Sequence, residues 1–146
     1  MKNISSTEIV AAVREASTAV RRRMDMLIND TPLRRMHVAF IVKLYEQGPM
    51  TAKELCDALH TDKGHTSRAL ADMLATDYID RETGIRPLRV MLTEKGEALA
   101  KKYNDGLTES EKLLESMVSL QEINAFITVV HAIREAFDPT AEEGTK

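Results

Sequence analysis

Residues 59–74, with the sequence LHTDKGHTSRALADML, are the part of the chain richest in side chains that can do chemistry. The first ten of them include two His, two Thr, one Asp, one Lys, one Ser and one Arg. The same residue types occur in catalytic sites, in metal sites and on helices that contact nucleic acid. The spacing of these residues has to distinguish the three kinds of site.

The spacing does not favour a metal site. His60 and His65 are five residues apart with a predicted turn between them, and Cys56 is predicted to face inward from the preceding helix. The sequence contains neither an HExxH motif nor a CxxC pair, and His37 and His131 stand alone. We therefore predict no metal ligands and no cofactor.

The spacing does not favour catalysis either. On a helix, Ser67 and His65 lie about 160° apart around the axis, so they cannot form a nucleophile–base pair. No third group is placed to orient either side chain. We predict that the chain has no catalytic residues and is not an enzyme.

A helix running from residue 63 to about residue 75 would divide these side chains between two faces. The inward face is predicted to hold Thr66, Ala69, Leu70, Met73 and Leu74. Arg68 lies near the middle of the outward face, which otherwise consists mostly of small residues: Gly64, Ala71, Asp72 and Ala75. Such a face can approach the floor of a DNA major groove, where Arg binds a guanine edge with two hydrogen bonds.

The first turns of a recognition helix commonly make the base contacts. We therefore predict base contacts by Lys63, His65, Ser67 and Arg68. Gly64 weakens the helix and is predicted to permit close approach to DNA. The pattern alone leaves open a second interpretation, in which this is a solvated helix face without a binding role.

Signals for helix N-termini indicate the elements that surround this helix. Capping boxes are predicted for Ser5 with Glu8, Thr51 with Glu54, and Ser119 with Glu122. Further starts are predicted at Thr31-Pro32, Asp62 and Thr93. Residues 104–106, Asn-Asp-Gly, are predicted to kink or weaken the fifth helix. The third and fourth helices are separated only by His60-Thr61, which predicts a helix-turn-helix.

The pattern changes from helical to extended after this pair of helices. Residues 78–81 and 88–92 are predicted strands joined by a turn around Thr83-Gly84. Pro87 suits an isolated ribbon with open edges. A hairpin directly after a helix-turn-helix is a wing. We predict a mainly α fold with a small β-hairpin wing, in the order four helices, hairpin, two helices.

Bulk composition is consistent with a small cytoplasmic domain. The 146 residues are 43% hydrophobic and suffice for one structural domain. No run of about 18 apolar residues is present, which predicts no membrane span, and the N-terminus lacks the pattern of a signal peptide. The single cysteine cannot form an internal disulfide, which fits a reducing compartment.

The net charge of −3 is unevenly distributed. Residues 1–102 contain 17 Lys and Arg against 14 Asp and Glu, whereas residues 103–146 contain 3 against 9. The acidic excess therefore belongs to the C-terminal third, and the region predicted to face DNA is not strongly repelled by phosphate.

The segments GPMTAKELCDALHTDKGHTSRALADMLATDYIDR and LRVMLTEKGEAL resemble the MarR family of bacterial transcription regulators. They are similar to the family's short ELA..L helix, its D..T.SR recognition helix, its strand and wing, and its LTEKG segment. The resemblance covers about residues 31–100 by motif and the flanking helices by arrangement.

This resemblance implies a homodimeric winged helix-turn-helix protein that binds a pseudo-palindromic double-stranded DNA operator. It implies a dimerisation helix in residues 1–30, a DNA-binding region in 31–96, dimerisation helices in 97–137 and a frayed tail in 138–146. Thr51 and Arg86 would contact the DNA backbone or minor groove. Repression, with release by a small-molecule effector, is the usual role in the family.

Three departures from the family pattern stand out. The wing is shorter than usual, with its motif reduced to residues 84–86, Gly-Ile-Arg. Asp72 replaces a commonly basic residue, which weakens phosphate contact there. Asp77 replaces the usual Gly after the recognition helix, and Asp tolerates the left-handed conformation. These departures motivate the alternative of a winged-helix protein-interaction or antirepressor module that has lost DNA binding.

Other residues have two interpretations. Cys56 is predicted to be a small core residue rather than a redox sensor, because a sensor needs an accessible thiolate. Met24, Met36 and Phe40 are candidates for an effector pocket, although core packing suits them as well. The basic residues 21–23 and 34–35 could contact phosphates or remain solvated.

Overall fold

The computed structural model describes residues 4–138 and 140. Its helices are α1 (Ser6–Met26), α2 (Arg35–Gln47), α3 (Ala52–Leu59), α4 (Lys63–Ala75), α5 (Glu94–Met117) and α6 (Leu120–Phe137). Its strands are β1 (Met50–Thr51), β2 (Ile79–Arg81) and β3 (Arg89–Leu92). The predicted class, mainly α with a small β wing, is confirmed. Apart from residues 138 and 140, the tail predicted to fray lies outside the described residues.

The predicted helix caps are present at five of the six starts. Ser5, Thr51 and Ser119 form capping boxes with Glu8, Glu54 and Glu122. The Asp62 carboxylate accepts the His65 N–H at 2.7 Å, and the Thr93 hydroxyl accepts the Gly96 N–H at 3.1 Å. Each of these bonds satisfies a backbone donor that the first turn of a helix leaves unpaired.

The predicted start of α2 at Thr31-Pro32 is wrong. The Thr31 hydroxyl donates to the Ile28 carbonyl at 2.8 Å and accepts the Leu33 N–H at 3.2 Å, so it closes the turn that follows α1. The helix begins at Arg35 instead. The N–H of Arg34 donates to Nδ1 of His37 at 3.0 Å, which gives α2 an imidazole cap in place of a hydroxyl cap.

The prediction of an isolated two-stranded ribbon is also wrong. The sheet has three antiparallel strands in the order β1-β3-β2, so β3 lies in the centre. Met50 pairs with Val90, and Ile79 pairs with Leu92. The strand β1 is only two residues long and ends at the cap of α3, which ties the wing to the helix-turn-helix.

The residues predicted to interrupt α5 do not interrupt it, since the helix is continuous from Glu94 to Met117. Gly106 has a packing role instead. A Cβ at this position would overlap the end of the Leu27 side chain, and the Gly106 carbonyl accepts Nη2 of Arg23 at 3.0 Å. The glycine therefore allows the C-terminal end of α1 to approach α5 closely.

By its internal contacts, the chain divides into two units, residues 1–107 and residues 108–146. The first unit contains the hydrophobic core. Its most deeply buried side chains include Phe40, Ile41, Leu55, Met73 and Ile79. Among the described residues, no single helix is both long enough and apolar enough to cross a membrane.

The described part of the second unit, residues 108–138 and 140, contains no side chain classed as buried, although α6 is rich in apolar residues. The most exposed apolar side chains of this unit are Leu113, Met117, Leu120, Phe126 and Phe137. Contiguous exposed apolar patches often mark sites of association, so this unit is a candidate for one.

Candidate nucleic-acid interface

The helix α4 has one buried face and one exposed face, as its sequence predicts. Thr66, Ala69, Leu70 and Met73 are buried. The exposed residues are Lys63, Gly64, Ser67, Arg68, Ala71, Asp72 and Ala75. The polar residues that are crowded in sequence are thus distributed around the helix. The outer face combines small side chains with Lys and Arg.

The N-terminus of α4 is held by Asp62. The hydrogen bond from the His65 N–H, together with the nearby charge of Arg68, holds the pKa of this carboxyl below its usual value. A carboxylate at a helix N-terminus also interacts favourably with the helix dipole. The helix therefore begins at a fixed place, directly after the turn at His60, whose φ is 52°.

Gly64 makes room for Arg68. A Cβ added to Gly64 would lie 3.3 Å from Nη1 of Arg68 and 3.3 Å from Oδ1 of Asp62. The guanidinium group of Arg68 therefore extends over the first turn of α4, towards the helix N-terminus. This is the part of a recognition helix from which base contacts commonly come.

His65 lies at the edge of the outer face. Its side chain is half-buried, and its ring centroid is 6.2 Å from that of Phe40 at an interplanar angle of 32°. One side of the imidazole therefore packs against the core. The predicted base contact by His65 has to use the remaining exposed edge of the ring.

Thr51 is engaged as the cap of α3. Its Oγ1 accepts the Glu54 N–H at 3.1 Å, and its own N–H donates to Oε2 of Glu54 at 2.8 Å. The side chain is half-buried. The hydroxyl can still donate its own hydrogen, so capping does not prevent a contact with phosphate.

A cavity of about 350 Å³ lies between α3 and α4. It is lined by Ala52, Lys53, Cys56, Lys63, Thr66 and Ser67. Sequence reasoning missed Lys53, which the fold brings to the same opening as Lys63 and Ser67. The sequence did contain a signal for Lys53. It lies two residues after the cap Thr51, and this position places it near the start of α3 in the helix-turn-helix.

Cys56 is half-buried rather than enclosed in the core. Its Sγ donates to Oγ1 of Thr66 at 3.1 Å, and this oxygen is 2.8 Å from Oγ1 of Thr61. The three side chains join α3, the turn and α4. The thiol therefore has a structural role in the helix-turn-helix.

The wing is closed at its base by Glu82 and Arg89. Their side chains form an ion pair at 2.6 Å, and the Glu82 N–H donates to the Arg89 carbonyl at 2.9 Å. Gly84 has φ 77°, the left-handed conformation of a turn glycine. Arg86 is exposed beyond this closure.

Contacts with α5 fix the C-terminal end of α4. Lys95 Nζ donates to the Thr76 carbonyl at 2.9 Å and lies 4.4 Å from the centroid of the Tyr78 ring. The Thr93 hydroxyl donates to the Asp77 carbonyl at 2.6 Å. Asp77 has φ 63°, so it occupies the left-handed conformation that its sequence position predicts.

Asp72, on the outer face of α4, pairs with a buried histidine. Its Oδ2 is 3.2 Å from Nε2 of His37, whose side chain is 6% exposed, whereas that of Asp72 is 64% exposed. The two residues are 35 positions apart in sequence. They line a cavity of about 390 Å³ between the start of α2 and the end of α4, together with Arg34 and Thr76.

The three candidates for an effector pocket lie in different settings. Phe40 belongs to the core, Met24 packs against the core, and Met36 lines the cavity beside His37. Across residues 4–138, no three His, Cys, Asp or Glu side chains converge as metal ligands would. Arg35 of the basic pair in α2 forms an ion pair with Asp25 at 2.8 Å.

Comparison with known proteins identifies the same region. Residues 32–86, which include α2, α3, α4 and the first half of the wing, match the MarR family. No curated protein sequence matches the chain.

Solved structures share the fold over most of the chain. A MarR family transcription regulator is 23% identical, with a TM-score of 0.77 over 94% of this chain and 93% of the other. A MarR transcriptional regulator from Methanosarcina mazei Go1 is 22% identical, with a TM-score of 0.68 over 91% of each chain. Staphylococcus aureus MarR, solved with salicylate and kanamycin, is 15% identical, with a TM-score of 0.73 over 90% of this chain and 91% of that one.

The family match coincides with the helix-turn-helix and the wing described above, so this part of the chain is similar to the MarR family of winged-helix transcription regulators.

Proposed function

We propose that this chain is a sequence-specific double-stranded DNA-binding regulator and that α4 is its recognition helix. The observation that carries the proposal is the outer face of α4, where Arg68 extends over Gly64 among small and polar side chains. A guanidinium on such a face can reach a guanine in the major groove and bind its O6 and N7 together.

The surroundings of α4 supply further contacts in the proposal. Lys63 and Ser67 line the same opening as Lys53, where a phosphate can accept hydrogen bonds from all three. Thr51 contacts the backbone through its free hydroxyl hydrogen, and Arg86 extends from the wing towards the minor groove. Gly64 and the exposed edge of His65 complete the proposed contact set.

The functional unit of the proposal is a homodimer. In the unit of residues 108–146, the described part of α6 exposes Phe126, Ile127 and Val130, and a second copy of the chain can cover such a surface. In the first unit, α1 has no buried residue between Ser6 and Met26. We assign dimerisation to residues 1–30 and 97–137 and DNA binding to residues 31–96.

Two recognition helices related by a two-fold axis would enter successive major grooves about 34 Å apart, so the operator is a pseudo-palindrome. We further propose repression with release by a small molecule. Salicylate and kanamycin in the Staphylococcus aureus MarR structure support a ligand of this kind. Met24, Met36 and Phe40 are the candidate contacts. Such a ligand would act by favouring a dimer whose helix spacing no longer fits DNA.

The test is DNA binding over a salt series. The probes are the DNA upstream of the chain's own gene and duplexes selected by the protein from a randomised pool. We expect a protected pseudo-palindrome and an affinity that falls steeply as salt rises, because phosphate contacts release counterions. Weak binding that does not depend on salt or sequence would contradict the proposal.

Arg68 is tested separately with two substitutions. Arg68→Ala should reduce the preference for one base pair by about 1–3 kcal/mol. Arg68→Lys keeps the charge but loses the two-point contact with guanine, so it should lose the preference while retaining more of the total affinity. If Arg68→Ala leaves every base preference unchanged, Arg68 does not read a base.

A protein-interaction or antirepressor module is the second candidate function. The net charge of −3 and the exposed carboxylate of Asp72 on the outer face of α4 favour it, since both oppose DNA binding. The salt series separates the two functions, because a module of this kind shows no sequence-dependent affinity for any selected duplex.

A further inference from the structure

Arg68 and Asp72 are separated by one helical turn on the outer face of α4. Residues four apart on a helix are neighbours, and opposite charges at this spacing commonly pair. A pair between these two side chains would turn Arg68 towards the C-terminal end of the helix and occupy the guanidinium that the proposed function assigns to guanine.

The two side chains have different neighbours. Arg68 extends towards the N-terminus, where Nη1 lies over Gly64. Asp72 is bound on its α2 side, at 3.2 Å from Nε2 of His37. Within residues 4–138, the side chain that Asp72 contacts through its carboxylate is therefore His37, 35 residues earlier in the chain, and not Arg68.

The roles of the two ring nitrogens of His37 follow from their hydrogen-bond partners. Nδ1 accepts the backbone N–H of Arg34 at 3.0 Å, so Nδ1 carries no hydrogen. The ring hydrogen is then on Nε2, which donates it to Oδ2 of Asp72. With a side-chain exposure of only 6%, the imidazole is held by packing as well as by these two bonds.

We propose that His37 is a positioning residue for DNA recognition. It holds the Asp72 carboxylate at the α2 side of the recognition helix and so prevents Asp72 from pairing with Arg68. The inference rests on the proposed function, because it concerns the orientation of Arg68, the side chain proposed to contact the base. It also gives Asp72 a structural role in a position where a carboxylate otherwise opposes DNA binding.

The test is a double-mutant cycle with His37→Leu and Asp72→Asn. A Leu fills the buried site but has no hydrogen-bond donor, so His37→Leu releases Asp72. The Arg34 N–H loses its imidazole acceptor in both backgrounds, so this loss cancels in the cycle. Asp72→Asn keeps the size of the side chain and removes the charge that competes for Arg68.

The readout is discrimination at one base pair, measured as the ratio of the affinities for two duplexes. The first duplex is the one selected by the wild-type protein from a randomised pool. The second differs only at the pair for which Arg68→Ala loses preference. We expect His37→Leu to lower this ratio by about twofold, the size of a helical ion pair between residues four apart. In the Asp72→Asn background, His37→Leu should have no effect on the ratio.

Equal effects of His37→Leu in both backgrounds would overturn the inference, because His37 would then act by packing alone. The absence of an effect in either background would also overturn it. Thermal melting of each variant verifies folding, and His37→Phe replaces His37→Leu if the leucine variant does not fold.

A measurement without DNA separates this inference from the proposed function. The imidazole ¹⁵N spectrum of the free protein should show His37 protonated at Nε2 and bare at Nδ1. A hydrogen on Nδ1 would overturn the inference even if the protein binds its operator. If the Nε2–H form is found but the protein binds no duplex, the proposed function fails, and the role of His37 in recognition fails with it.

Discussion

Replacement of Gly96 by Ala is the most direct test of how α5 holds the C-terminal end of α4 in place. Gly96 lies in the first turn of α5, directly against the segment that leads from α4 into β2. A Cβ at this position would overlap the carbonyl oxygen of Tyr78 and would lie 3.1 Å from Cδ2 of Leu92. The overlapping atom belongs to the backbone, so it cannot be avoided by a change of rotamer.

The expected magnitude combines three effects. Insertion of a methyl group into a packed site costs about 1–3 kcal/mol. The Tyr78 carbonyl accepts the Thr93 N–H at 3.2 Å, and displacement of this carbonyl weakens a hydrogen bond that contributes about 1 kcal/mol. Ala favours a helix over Gly by up to about 1 kcal/mol. The variant should therefore be less stable by about 1–3 kcal/mol.

Gly64→Ala is the matched control, because Gly64 also lies in the first turn of a helix. A Cβ there would meet only the ends of the Arg68 and Asp62 side chains, each at 3.3 Å. Ala favours the helix by up to about 1 kcal/mol, and both side-chain ends can shift, so this variant should lose no stability. Urea denaturation of both variants gives the comparison. If Gly96→Ala is as stable as Gly64→Ala, the backbone at Tyr78 can move aside at little cost. Close packing of Gly96 against Tyr78 would then not hold α4 in place.

Two further predictions concern other parts of the chain. Phe126→Asp should convert the proposed dimer to monomers, because it places a charge on the exposed apolar side of α6. Thr128→Asp, about 160° around the helix, should leave the oligomeric state unchanged. Sedimentation velocity measures both variants, and a dimeric Phe126→Asp variant would exclude this surface from the interface. Asp62→Ala should be less stable than the wild type at neutral pH. Because the pKa of Asp62 is lowered in the folded chain from its ordinary value of 3.8, its contribution is present above that value and is lost as the pH falls through the folded pKa. The stability difference between Asp62→Ala and the wild type should therefore narrow in acid, and a constant difference from neutral to acidic pH would contradict this origin of the pKa shift.

Local hydrogen bonds were the most predictable part of the fold. A capping box such as that of Thr51 and Glu54 needs only two residues three positions apart, so the sequence contains all of its information. Thr31 shows where this reasoning stops. Its hydroxyl has the chemistry of a cap, but it bonds to Ile28 and Leu33 and closes the preceding turn. The strand β1 is too short for a periodic pattern and depends on pairing with a distant segment.

The candidate site shows the same division between local and distant contacts. The helical period alone was sufficient to place Thr66 inside and Arg68 outside. The sequence also identified Asp72 as a departure from the family pattern. It could not identify His37 as the partner, because that contact depends on how α2 packs against α4. Lys53 was missed for the same reason, since it joins the site only through the packing of α3 on α4.

The contacts between Glu82 and Arg89 close the base of the wing and leave the length of its tip free to vary. Residues 83–88 lie beyond both the ion pair and the backbone hydrogen bond that join these two residues. The contacts that hold the end of α4 lie on the opposite side of this closure, at Thr76, Tyr78 and Lys95. Residues can therefore be added to or removed from the tip of the wing without moving α4. This arrangement explains how the chain keeps the helix-turn-helix geometry with a short wing, and it makes residues 83–88 a suitable place for an inserted spectroscopic label.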